Sequence, residues 1–292
     1  MSGTSTDGRS VSMLSPLERT LLIPLTGRAA DRESPQSLLR DELAAALVQR
    51  LEGDVDSTRL GSGVALGVAL RSRIIDRAVA AFVRAHPGAV VVELGSGLET
   101  RMYRLGLTTE VDWYDVDLPD VIAVRKRLMP EYPPAHAIAA SLLDPGWTAE
   151  IPTDRPTILV ADGLFGFLTE EENRQVLRHI SRTFPGGELV FSAYSSLTAR
   201  LTGHYTKSVG MPADFRGFGF NDPYHVESLD PHFVFVEEET VATSPETRHL
   251  TGLTGFTTRL NARLMSWWPA LARTGVWVVR YRFGDADGRD RP

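Results

Sequence analysis

The stretch Val90-Val-Val-Glu-Leu-Gly-Ser-Gly97 decides the fold. Three consecutive valines leading into Glu93-Leu94 suit a strand covered on both faces, as in a parallel sheet. Gly95 and Gly97 allow a sharp backbone turn and leave no Cβ where a ligand approaches. A helix beginning at about Leu98 would aim its free N–H groups and its dipole at that ligand. Trp113-Tyr-Asp-Val-Asp117 then ends a second strand in a carboxylate, at the spacing of an acid that grips the hydroxyls of a ribose. The unit predicts a nucleoside-bearing ligand.

The residues around the turn narrow the choice. A dinucleotide fingerprint requires a third glycine where Thr100 stands, and no lysine follows to make a phosphate loop. Glu93 is awkward beside a pyrophosphate but suits a cationic amino-acid head. A Glu-x-Gly-x-Gly stretch ahead of a helix is the pattern of S-adenosylmethionine-dependent methyltransferases. A NAD-dependent oxidoreductase is the competing reading, disfavoured by Thr100 and Glu93.

Working outward, short apolar runs alternate with helical patterns from residue 89 onward. Strands are expected at 90–94, 111–116, 136–139, 157–162 and 187–193, with two more at 232–238 and 277–283. Thr169-Glu-Glu-Glu172 has capping-box spacing and opens a helix whose apolar face is Val176, Leu177, Ile180 and Phe184. Such alternation gives a parallel sheet with right-handed crossovers, and ligands bind at the carboxyl ends of its strands. Gly95, Gly97, Asp117, Ser141 and Asp162 all fall at those ends.

Upstream, helices are expected at 38–52 and 72–86, separated by a loop over 53–67. Thr20-Leu-Leu-Ile-Pro-Leu25 is a short apolar segment of open type, and a helix is expected near 257–268. Residues 1–16 and 284–292 read as disordered. Between them lies one domain: a helical cap (17–70), a cofactor-binding core (71–194), an insertion (195–230) and the final strands (231–283). The insertion is rich in glycine and aromatic residues, and reads either as a substrate lid or as a satellite apolar cluster.

Composition excludes several classes. The 292 residues are 42% hydrophobic and 23% charged, ordinary for a soluble globular chain. A net charge of −6 argues against nucleic acid as the main partner. There are no cysteines, hence no disulfide, thiolate nucleophile or cysteine metal site. No apolar run is long enough to span a membrane, and the N-terminus has no apolar signal core, so a cytoplasmic protein is expected.

Several blocks together resemble the leucine carboxyl methyltransferase family, most closely its tetracenomycin polyketide O-methyltransferase-like branch. They are Thr20–Leu25 with Gly27-Arg-Ala29, Arg71-Ser-Arg73 with Asp76 and Phe82, and Glu93–Arg101 with Tyr103-Arg-Leu105. Trp113–Pro119, Asp144-Pro-Gly-Trp147, Ala161–Leu168 and Arg280-Tyr-Arg-Phe283 complete the set. The resemblance implies an α/β, class I (Rossmann-like) methyltransferase fold: a seven-stranded, mostly parallel sheet with N-terminal helices and a lid insertion after strand 5. It also implies S-adenosylmethionine as cofactor. Arg71 matches the arginine that pairs with the methionine carboxylate, Gly95 and Gly97 the cofactor turn, Asp117 the ribose acid. Ser141-Leu142 matches the adenine contacts, with serine where the family usually has an acid. Asp162 matches a position commonly Glu, Glu99 one that is usually Asp, and Phe167 one that is usually Tyr. The expected cofactor set is Arg71, Glu93, Gly95, Ser96, Gly97, Asp117, Leu118, Ser141, Leu142 and Asp162. Each has a plainer alternative, such as a helix cap for Asp117 or a solvated helix position for Arg71.

The implied reaction displaces the cofactor's methyl group with a substrate oxygen. Alignment alone contributes on the order of 7–11 kcal/mol to such a step. A carboxyl acceptor, with pKa around 4, needs no base; a phenol, with pKa around 10, would benefit from one. His204, Tyr205, His225 and His232 are candidates, and no catalytic base is assigned. Tyr205, Phe215, Phe218, Phe220, His225 and Trp267 (beside Trp268) are the candidate acceptor-pocket residues. The expected partner is a small, aromatic or polycyclic acceptor, with a carboxyl of a polyketide-like product ahead of a phenol. A protein that keeps the cofactor without methyl transfer is the further alternative.

Overall fold

The computed structural model describes residues 11, 13–51, 61–106, 111–198, 217–267 and 273–284. Seven strands form one sheet: β1 (Val90–Leu94), β2 (Asp112–Asp117), β3 (Ala135–Ala139), β4 (Thr157–Ala161), β5 (Gly186–Tyr194), β6 (Phe233–Thr240) and β7 (Val276–Gly284). Their spatial order is β3-β2-β1-β4-β5-β7-β6. β1 to β5 run parallel, and β7 is antiparallel to both of its neighbours. The expected sheet is therefore present, with strand ends within about two residues of the sequence reading. β1 and β4 are buried at every position, as strands covered by helices on both faces must be.

The strand order reverses at β1: the chain moves outward to β2 and β3, then crosses back to β4 on the other side of β1. Crevices open above such a point. Gly95 follows β1, Asp117 ends β2 and Asp162 follows β4, so all three meet there.

One face of the sheet is covered by α3 (Ser62–Ala85), whose Ile74, Ile75, Val79 and Phe82 pack on Val91, Trp113, Ile158, Val160, Val190 and Val278. The other face carries α6 (Glu170–Thr183), with Val176, Leu177 and Ile180 against Leu159, Leu189 and Phe191. Thr169 and Glu172 close the expected capping box. A third cluster joins α1 (Leu22–Glu33), α2 (Glu42–Arg50), Leu98 and α5 (Pro119–Leu128) through Leu25, Leu47, Val121 and Val124.

The N-terminal third differs from expectation. The segment of open type is a 3-10 turn (Glu18–Leu21) running into α1. α2 starts later than expected because Asp41 caps it, accepting from the Ala44 N–H at 3.0 Å. α3 begins at Ser62, so Gly63 and Gly67 are helical rather than in a loop. A Cβ on either would meet no other atom within 4 Å, so neither is held by local sterics. The helix continues through them because Ala65 and Val68 are buried, Val68 so close to α1 that a side chain at Gly27 would strike it. Val11 and Leu14, read as part of a disordered terminus, are buried in the third cluster. Of the insertion, 199–216 lies outside the described residues; α7 (His225–Leu229) precedes β6, and α8 (Gly252–Ser266) precedes β7.

Candidate functional site

Gly95 and Gly97 both adopt positive φ, 64° and 47°, which explains glycine at each. The space beside them is filled, however. A Cβ on Gly95 would lie 2.9 Å from Leu164 Cδ1, and one on Gly97 would lie 3.2 Å from Leu21 Cβ. The helix expected at Leu98 starts only at Arg101 and spans five residues (α4, Arg101–Leu105), too short for its dipole to dominate.

The turn is held by arginines instead. Arg125 donates to the carbonyls of Gly97 (3.1 Å) and Glu99 (2.8 Å), and Arg28 donates to that of Leu98 (2.7 Å). Three consecutive carbonyls of the turn are thus bound by arginines of α1 and α5. The Gly97 N–H donates to Asp117 Oδ2 at 2.7 Å, while Leu118 N–H donates to Oδ1 at 2.7 Å. Burial pushes the Asp117 carboxyl up to about 6, with those two N–H donors opposing the rise. An acid held so close to neutral gains from hydroxyl partners.

Beneath the turn lies a buried ion network. Arg101 is fully enclosed and meets Asp76 (2.8 Å), Glu93, Asp162 (3.6 Å) and Glu99 (3.8 Å). Arg104 pairs with Asp41 and Asp76 at 2.8 Å and with Glu99 at 3.1 Å; Arg28 pairs with Glu99 at 3.0 Å and Asp41 at 3.3 Å. Burial alone would raise the Glu99 carboxyl, but Arg28, Arg101 and Arg104 outweigh it and hold the group well below its ordinary range. Burial raises Glu93, with Arg101 opposing. Glu93 was expected to face the cofactor; its carboxylate points instead at Arg101, because a buried acid requires a partner.

Arg71, on α3, joins the network at its open end. Its Nε lies 2.7 Å from Asp162 Oδ1, and Nη1 donates to the hydroxyl of Tyr194. Counting Asp41, Asp76, Glu93, Glu99 and Asp162 against Arg28, Arg71, Arg101 and Arg104, five acids face four bases. Because burial raises the Glu93 carboxyl towards neutrality, the ionised acids and bases of the network are close to balanced. Ser96 Oγ is buried without a hydrogen-bond partner among the described residues, while Asp162 Oδ2 and Arg101 Nη2 face each other at 3.6 Å. The unpartnered Ser96 hydroxyl, the buried Asp117 carboxyl and the Arg71 fork fit a nucleoside with a zwitterionic amino-acid arm. Ala140 N–H donates to the Asp117 carbonyl (2.9 Å), which brings Ser141 and the buried Leu142 beside the acid. Ser141 Oγ accepts from the Leu143 N–H at 3.2 Å.

The acceptor-side candidates scatter. Tyr205, Phe215, His204 and Trp268 lie outside the described residues. Phe220 is a core residue, packed against Phe191 at 5.2 Å between ring centres, because its N–H is tied to the Tyr194 carbonyl. Phe218 is half-buried and stands between Phe220 and His225. His232 sits at the opposite edge of the sheet, since β6 starts level with the first residues of β5; its ring meets Asp230 at 2.7 Å. Trp267 is 75% exposed. Sequence reading missed Arg28, Arg101, Arg125, Ser192 and Tyr194. Tyr194 alone had a usable signal: it closes a buried strand at the ligand edge.

The profile of the leucine carboxyl methyltransferase family matches residues 22–181. The chain belongs to that family. It is 34% identical over 232 residues to the tetracenomycin polyketide synthesis O-methyltransferase TcmP of Streptomyces glaucescens, covering 80% of this chain and 86% of the relative. The S-adenosyl-L-methionine-dependent methyltransferase dpfgK of Gibberella zeae is 31% identical, covering 81% and 86%. A crystal structure of a Thermobifida fusca protein shares the fold with a TM-score of 0.56 at 14% identity, covering 90% of this chain and 94% of that one. The S-adenosylmethionine-dependent methyltransferase of Anabaena variabilis superposes with a TM-score of 0.50 at 10% identity, covering 73% and 84%. This family member is an S-adenosylmethionine-dependent methyltransferase of the class I fold. Among its described residues, no helix is long and apolar enough to cross a membrane.

Proposed function

We propose that the protein moves a methyl group from S-adenosylmethionine to a carboxyl oxygen of a small aromatic or polycyclic acid of polyketide type. The observation that carries this reading is the match to a polyketide O-methyltransferase over most of both chains. In this reading Asp117 grips the ribose hydroxyls, and Gly95, Ser96 and Gly97 lie along the amino-acid arm. Arg71 receives the methionine carboxylate as a charged fork, with Asp162 beside the ammonium. Leu118, Ser141 and Leu142 contact the adenine, a serine hydroxyl replacing the usual acid. Glu93 acts one layer back, by holding Arg101. The described parts of 17–70, residues 17–51 and 61–70, serve as a cap over the turn.

When bound, the cofactor supplies a methyl group on a positively charged sulfur, already activated for displacement. An acceptor carboxylate donates a lone pair to the methyl carbon as the carbon–sulfur bond breaks, releasing S-adenosylhomocysteine and the ester. No proton has to be removed, because a carboxylic acid of pKa about 4 is ionised at neutral pH. The protein contributes alignment.

A phenolic acceptor is the second reading, favoured by His225. Its Nε2 is buried without a hydrogen-bond partner among the described residues, beside Phe218. Radiolabelled methyl transfer to a panel of aromatic acids and phenols separates the two. The carboxyl reading expects a product whose label is released as methanol in mild alkali; an alkali-stable ether refutes it.

A further inference from the structure

Tyr194, the last residue of β5, is half-buried at the ligand edge, and its hydroxyl accepts a hydrogen bond from Arg71 Nη1. The guanidinium carbon of Arg71 also lies 6.0 Å from the centre of the Tyr194 ring. Arg71 Nε faces Asp162 Oδ1 at 2.7 Å. That oxygen accepts from Ser192 Oγ at 3.0 Å, and Ser192 Oγ in turn accepts from the Gly163 N–H at 2.8 Å. One acid, anchored by the strand beside it, and one phenol therefore hold two of the three nitrogens of the fork.

The choice of a phenol matters electrically. Asp162 is shared with Arg101, 3.6 Å away, and so offsets only part of the charge on Arg71. Burial raises the Tyr194 hydroxyl above its ordinary value, with Arg71 opposing, so the group remains neutral through the physiological range. A neutral acceptor fixes the guanidinium plane without cancelling its charge. A second carboxylate there would have fixed the plane and discharged it, leaving no attraction for an anionic ligand.

We propose that Tyr194 is the positioning residue for Arg71, holding the guanidinium fork charged and oriented toward the carboxylate of the cofactor's amino-acid arm. This rests on the reading of Arg71 given above, and the test keeps the two separable. Calorimetry on the full-length chain uses two probes: S-adenosylhomocysteine, and 5′-methylthioadenosine, which has the same nucleoside but no amino-acid arm. Tyr194→Phe keeps the ring and removes only the hydroxyl. It is expected to weaken S-adenosylhomocysteine about tenfold, in line with loss of a hydrogen bond to a charged group, and to leave methylthioadenosine within about twofold. In turnover, KM for S-adenosylmethionine should rise by the same factor with kcat nearly unchanged.

Equal weakening of both probes would mean a general effect on the fold and overturn the proposal, as would no weakening of either. Arg71→Lys reports on the underlying reading. If it leaves S-adenosylhomocysteine affinity intact, that reading fails and the Tyr194 proposal falls with it. If Arg71→Lys weakens that probe selectively while Tyr194→Phe does not, the Tyr194 proposal alone falls.

Discussion

Around β1, the ligand edge is built from charge: nine acidic and basic side chains from the cap, α3, the turn, α4 and the end of β4 interlock below Gly95 and Gly97. Around β5, two strands further along the same edge, it is built from rings: Phe191, Phe220, Phe218 and His225 meet tilted or edge-on at 5.0–5.8 Å between centres. The charged half fixes one geometry, because each buried ion demands its partner. The aromatic half tolerates change, because apolar contacts are non-directional. A shared cofactor suits the first construction and a varying acceptor suits the second.

The contrast can be broken most severely at Arg101. Arg101→Met leaves Glu93 buried without its cation and Asp76 with Arg104 alone, and should destabilise the fold by about 3–5 kcal/mol. Thermal unfolding followed by circular dichroism measures this; a loss under about 1 kcal/mol would mean that the network is solvated. Phe220→Ala should follow at about 3 kcal/mol, the range for opening a cavity at a fully packed ring. If it instead changes only acceptor KM, Phe220 lines the pocket and the sequence reading of that residue was right.

The third effect concerns pH. Because the ligand-free Asp117 takes up a proton near pH 6, affinity for S-adenosylhomocysteine should drop about tenfold between pH 7 and pH 5, as titration calorimetry can follow. Stability without ligand moves the other way. The folded value lies above the unfolded one, so this group's contribution is complete below about pH 4 and is lost as pH rises through about 6. In Asp117→Asn the pH dependence of binding should vanish along with most of the affinity. Smallest of all is Trp267→Ala, expected to alter stability by no more than about 0.5 kcal/mol because the ring is exposed. A larger change would place that ring against the fold in solution.

The same contrast explains what could be read from the chain. The strands were legible because parallel strands are continuous apolar runs, and the turn because only glycine reaches positive φ cheaply. α6 was legible from its cap. The start of α3 was not, because Gly61, Gly63 and Gly67 imitate a loop until packing against α1 is known. The ion network was invisible for a related reason: Asp76 and Arg101 are 25 positions apart, Arg71 and Tyr194 123 apart, and no local pattern joins them. On the aromatic side, residue type alone could not separate Phe220, a core ring, from Phe218 at the rim.

The bond from Arg28 to the Leu98 carbonyl bears on how the chain is made. Seventy positions separate the two. At about 5–20 residues per second on a ribosome, Arg28 emerges several seconds before the backbone group it binds. Asp41 likewise precedes Arg104, its partner across 63 positions. During synthesis, therefore, the amphipathic first helices wait for α4 to match their charges and for Leu98 and α5 to cover their leucines. The first helices are thus the earliest part of the chain to be made and among the last to be completed, since their apolar partners extend to Leu128.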